Sequence, residues 1–231
     1  MSGDALLPKR RSFLAGMNAG AASLIAMGGV AAAQESEASA AHWEPARHPQ
    51  DAWLEKPSSK HRVVFDSTEF ASAGEALAFA ANSFHVNQDD YGLQDSDLAV
   101  LIVLRHGATV FGYNDAMWAK YGEVLAVPSK AVDPKTKQAP KLNVYEASGY
   151  GDLLPSRGHT LAGLAKHGAQ FAVCAMATHA FSGMIAKKSG GKADAVFAEL
   201  SGNLIANARL VPAGVVAVTR AQEYAYSLVS C

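Results

Sequence analysis

The stretch FAVCAMATHAF (residues 171–181) places a cysteine, Cys174, where an apolar run gives way to a helix-like pattern; the other cysteine of the chain is Cys231. In an open α/β arrangement such a junction is the carboxyl end of a strand and the amino end of a helix, where ligands and reactive groups gather. The first turn of a helix presents unpaired N–H groups and about half a positive charge, which favours an anion. A thiolate so placed can ionise at about 3.5–7.5 instead of about 8.5 and is then a nucleophile at neutral pH. It can be capped reversibly, for instance as a persulfide. Two other readings of the same residue stand beside this one. Free cysteine is among the most buried residue types, so Cys174 can simply end the core of its strand. It can also pair with Cys231 in a disulfide, a geometry that sequence does not define.

Other chemistries lack their residues. The chain has no C-x-x-C pair, no second cysteine cluster for zinc, and none of the patterns HExxH, P-loop, G-x-G-x-x-G or G-x-S-x-G. The glycines of GYGDLLPSRG (149–158) fit no phosphate-cradling loop, and the histidines are dispersed. No cofactor and no metal is expected. Three residues are candidates to support the thiol: Arg105 and His106, which end the apolar run DLAVLIVLRH (97–106), and His179, which follows Cys174 in the same stretch. A cation at the convergent ends of neighbouring strands would stabilise a thiolate or an oxyanionic sulfur species. The structural alternatives are a salt bridge for Arg105 and a turn cap for His106. Asn114 and Asp115 read as a helix cap.

The elements that must position these residues alternate. HRVVFD (61–66), residues 97–106, AQFAVC (169–174), ARLVP (208–212) and a short run around 226–229 read as strands. Helical patterns cover SAGEALAFAANSFHVN, YNDAMWAKYG with Gly122 just past its end, residues 160–168, 175–188 and 193–206, and a last helix opened by Pro212. Strands that read as continuously apolar, alternating with helices, predict an α/β fold: three layers, a mostly parallel sheet with helices on both faces, flavodoxin- or Rossmann-like. Between Leu125 and Gly158 four prolines break the pattern, and a connection of that length is usually functional, interfacial or mobile.

Ahead of this domain, residues 1–33 combine Lys9, Arg10 and Arg11 with an uncharged stretch and Ala31-Ala32-Ala33, as a cleaved export signal does. KRRSFLAG resembles a twin-arginine signal, which implies a periplasmic protein. The rival reading is an uncleaved anchor, since residues 12–34 carry no charge and are long enough to span a membrane; membrane attachment is expected only by that route. Residues 34–60 read as an extended arm, with Trp43 and Trp53 docking on the domain or on a neighbouring subunit. The domain proper is expected over 61–231, with the long loop at 125–158. The formal charge of the whole chain is −1, and no basic stripe or aromatic platform suits nucleic acid. An unpaired thiol in an oxidising compartment is a liability unless it is buried or used.

The order of VLRHGATVFGYNDAMWAKYG, GAQFAVCAMATHAFSG and NARLVPAGVVAVTRAQEYAYSLV resembles the DsrE/DsrF-like sulfur-metabolism family, closest to its exported, twin-arginine branch. The resemblance covers roughly residues 61–229 and rests on the order of the segments. It implies a small α/β domain assembling into trimers or hexamers. It also implies a persulfide carried on Cys174 between a sulfur donor and an acceptor protein, a carrier or sulfur-transferase-like step. The helix after Cys174 differs from the cytoplasmic relay members in having His179 where they tend to be basic. The alternative is a non-catalytic oligomeric module of the same fold, binding a ligand or protein through the 125–158 loop and the arm.

Overall fold

Apolar runs with no charge in their centres pair most favourably where both faces are covered, and they form the middle of a parallel sheet. In the computed structural model, which describes residues 43–231, these are β1 (His61–Ser67), β2 (Leu98–Leu104) and β3 (Gln170–Cys174). The shorter and less buried β4 (Ala208–Val211) and β5 (Ser227–Ser230) flank them, in the order β4-β3-β2-β1-β5. Every pairing is parallel. The fold is α/β with helices on both faces, as expected, and the sheet is wholly parallel.

Alternation along the strands divides the core in two. Phe65, Ile102, Leu104, Phe171 and Val173 face one side, where they meet Leu77 and Phe84 of α1 (Phe70–Asp89), Trp118 and Leu125 of α2 (Asp115–Ser129), and Leu164 of α3 (Leu161–Lys166). Phe181 of α4 (Ala175–Ser189) and Val196 of α5 (Ala193–Ser201) complete that side. Val64, Leu101, Val103 and Ala172 face the other side, against Ala217, Val218 and Ala221 of α6 (Gly214–Glu223). The chain steps outward from β1 to β4, and then α6 carries it back across the opposite face to β5, beside β1. The reversal of winding therefore lies between β1 and β5.

Three boundaries differ from expectation. Helix α2 does not stop at Gly122 but continues through Pro128 to Ser129, so the long connection begins at Lys130 rather than 125. Gly122 is required by close approach: a Cβ there would collide with the Pro140 carbonyl oxygen. The C-cap is Lys130, in the left-handed region at φ 55°. Helix α5 ends at Ser201, and Pro212 lies before the Ala213 N-cap of α6 rather than at its first helical position. The compact unit spans Pro45–Cys231. Within it a 3-10 turn at Pro49–Leu54 buries Leu54, and Trp53 packs on the α6-side core beneath the Arg209 guanidinium. Arg62 ties this segment down by donating to the Lys56 carbonyl at 3.0 Å. Trp43 lies outside this unit, and the expected signal (1–33) and the start of the arm lie outside the described residues.

The connection after α2 is a packed cover on the larger core. Val144, Tyr145, Tyr150 and Leu154 are buried in it. The Asn143 amide donates to the Phe111 and Tyr113 carbonyls, both at 2.9 Å, and the Tyr145 hydroxyl donates to the Phe70 carbonyl at 2.6 Å.

Candidate functional site

Cys174 is the last residue of β3 and at the same time the N-cap of α4, with φ −75° and ψ 113°. Strand passes into helix without a loop, so the residue sits at the first turn of a 15-residue helix. It is 7% exposed. Leu104 pairs with Val173, and the next residue on β2, Arg105, thus stands level with Cys174 at the carboxyl edge. Strand alternation turns Asp66, Arg105 and Cys174 to the same side of the sheet, the side that α6 covers.

Arg105 is bound in a two-pronged ion pair to Asp66 of β1: Nε to Oδ1 at 2.7 Å and Nη2 to Oδ2 at 2.8 Å. The hydrogen bonds to Asp66, and to a lesser extent charge on Cys174, hold the guanidinium more firmly protonated. Both preferred prongs are taken by the carboxylate. Nη1 makes no hydrogen bond among the described residues. The first residue of α6 lies against this pair. A Cβ on Gly214 would collide with Arg105 Cβ, so glycine is what allows the helix to start there.

The other two predicted supports are placed differently. His106 is exposed, has left-handed backbone at φ 53°, and starts a 3-10 turn over His106–Gly112. It makes no hydrogen bond to Cys174 among the described residues. His179 is exposed and stacks flat on Phe197 of α5, with ring centroids 3.7 Å apart and 5° between planes. That ring belongs to the α4–α5 contact rather than to the thiol. The structure therefore brings Arg105 to Cys174 and engages His179 elsewhere.

Cys174 and Cys231 are both free. Three strand spacings separate their positions along the β3-β2-β1-β5 edge. At about 4.8 Å each this makes roughly 14 Å. A disulfide needs Cα atoms within about 7 Å, so the fold excludes the pairing left open by sequence. Cys231 donates its N–H to the Asp66 carbonyl at 3.1 Å. Burial, then the charges of Glu75 and Asp66, push its thiol up to about 11.

Sequence reasoning missed three residues of this neighbourhood. Asp66 ends the run HRVVFD, and an acidic residue closing an apolar strand was a visible signal. Tyr113 and Thr178 are both completely buried; the Tyr113 hydroxyl donates to Thr178 Oγ1 at 2.7 Å, and Thr178 Oγ1 donates to the Cys174 carbonyl at 2.9 Å. No group of three or more metal-ligating side chains is assembled among the described residues, and no helix among them is long and apolar enough to cross a membrane. No family model, no curated protein and no solved structure matches this chain.

Proposed function

We propose that the protein is a DsrE-like sulfur carrier that holds one sulfur atom as a persulfide on Cys174. The observation that carries the reading is the position of that thiol, at the start of α4 and level with Arg105 on the adjoining strand. In the forward step the Cys174 thiolate attacks the terminal sulfur of a donor persulfide. A new S–S bond forms, the donor's S–S bond breaks, and the donor leaves as a thiolate, so no oxidant or reductant is consumed. An acceptor thiolate reverses the exchange. Arg105 Nη1 and the first-turn N–H groups of α4 favour the anionic species on either side of the step. The twin-arginine-like leader would place this chemistry in the periplasm, and assembly into trimers or hexamers follows the same resemblance.

The second reading, a binding module in which the thiol is inert, is favoured by the 7% exposure of Cys174. Intact-protein mass spectrometry after brief exposure to inorganic polysulfide separates the two. Mass gains in steps of one sulfur that survive Cys231→Ser, vanish in Cys174→Ser and are removed by a reductant support the carrier. A folded, reduced protein that takes up no sulfur on Cys174 establishes the module.

A further inference from the structure

We propose that Tyr113 is a positioning residue for the Cys174 thiol, acting through Thr178. The inference deepens the carrier reading and rests on it for its biological meaning, but its physical content is the orientation of the thiol.

The direction of the hydrogen-bond chain is dictated by its end. The Cys174 carbonyl can only accept, so Thr178 Oγ1 spends its single proton there, at 2.9 Å. Thr178 Oγ1 must then accept from Tyr113, and the phenol must donate, at 2.7 Å. Burial, the main cause, keeps that phenol protonated by raising its ionisation far above the ordinary range. Both side chains are completely buried, so no water replaces a missing partner.

Tyr113 is itself held from several sides. Asn143 Nδ2 donates to its carbonyl at 2.9 Å, and Tyr113 forms an isolated antiparallel bridge with Leu204. The flanking residues are tied to the same segment: Ile205 N–H donates to the Gly112 carbonyl and Asn114 N–H to the Asn203 carbonyl, each at 3.0 Å. A phenol delivered from so fixed a frame pins the peptide plane of Cys174 at the strand-to-helix junction. That plane sets where Cβ and sulfur point relative to the first-turn N–H groups and to Arg105. The long connection after α2 thereby contributes to the site through Asn143, without touching the thiol.

A neighbouring bond supplies the control. The Ser182 hydroxyl donates to the Thr178 carbonyl at 2.8 Å, one turn further along the buried side of α4. It has the same chemistry and burial but does not reach Cys174. The test uses the full chain with Cys231→Ser, so that one thiol is read, and follows two rates: alkylation of Cys174 by iodoacetamide and sulfur uptake from inorganic polysulfide. Tyr113→Phe and Thr178→Val are expected to slow alkylation about five-fold, the factor that one neutral hydrogen bond supports. Thr178→Ser, which keeps the hydroxyl, restores the rate, and Ser182→Ala leaves it unchanged at a comparable loss of thermal stability. Should Tyr113→Phe fail to fold, the Thr178→Val and Thr178→Ser pair carries the test. Equal alkylation rates for wild type, Tyr113→Phe and Thr178→Val overturn the proposal, as does a native Cys174 that is not alkylated at all. Alkylation that depends on Tyr113 without any sulfur uptake leaves the positioning role standing and removes the carrier reading.

Discussion

Cys174 leads straight into the 15-residue α4 and has Arg105 on the neighbouring strand, whereas Cys231 follows β5 with Asp66 and Glu75 about it. The two thiols share one edge of one sheet, yet their electrostatic surroundings are opposite. The Asp66–Arg105 pair lies across the edge between them, its cation toward β3 and its carboxylate toward β5. The reversal of winding, the usual place for a ligand in such sheets, falls beside Cys231 rather than Cys174. Topology alone would nominate Cys231. The two differ in the helix that follows Cys174, in the nearest charge, and in face: Cys174 turns to the α6 side, whereas Cys231 packs against the larger core.

The largest expected effect is a difference in reactivity. With its thiol pushed up to about 11, Cys231 is almost wholly protonated at pH 8. Native Cys231 should therefore be alkylated about 100-fold more slowly than a free thiol at that pH, since the thiolate is the nucleophile. Peptide mass spectrometry after timed iodoacetamide labelling of the native protein measures it. A Cys231 that labels as fast as glutathione would erase the contrast.

Next in size is the pair between them. Asp66 is 9% exposed, and Arg105→Ala leaves its carboxylate buried without a partner. The Arg105 side chain is partly solvated, so the expected loss falls below the ~3–5 kcal/mol of a fully buried pair, at about 2 kcal/mol in urea denaturation. The double variant Arg105→Ala/Asp66→Ala should recover part of that loss, because no charge is then left stranded. Equal stability of the single variant and wild type would show that the pair does not organise this edge.

Much of this arrangement was legible in the sequence, and the gaps have physical causes. The unbroken apolar centres of β1, β2 and β3 announced a doubly covered parallel sheet, and Cys174 at the end of FAVC marked its strand-to-helix junction. Gly122 and Pro128 suggested a helix end, but the first is there for the approach of Pro140, and the second lies in the last turn, one residue before the helix ends at Ser129. The partner of Arg105 needed the register: Asp66 opposes Val103, two residues before Arg105 and on the same face, and no local pattern encodes that offset. His179 was one of three side chains expected to support the thiol, yet its place on α4 stacks it on Phe197. Residues 45–60 lacked a period because they fold by docking single side chains, Leu54 and Trp53, on the α6-side core.

The smallest expected effect tests the carboxylate end of the comparison through its pH dependence. A thiol whose ionisation is raised in the folded state stays protonated while the unfolded chain has begun to lose its proton. The unfolded state then binds fewer protons, and stability falls as pH rises. For Cys231 the window runs from its ordinary value of 9.0 to about 11, and below that window its contribution is fully present. The residue is only half-buried, and with the discount for solvent screening the loss across the window is about 1 kcal/mol. Cys231→Ser should remove this increment, so the difference in stability between wild type and variant should narrow or change sign between pH 8.5 and pH 10.5 by about that amount. Urea denaturation at the two pH values reads it directly. A pH-independent difference would mean that neither burial nor the charges of Glu75 and Asp66 raise the Cys231 thiol, and that the contrast between the two thiols rests on α4 and Arg105 alone.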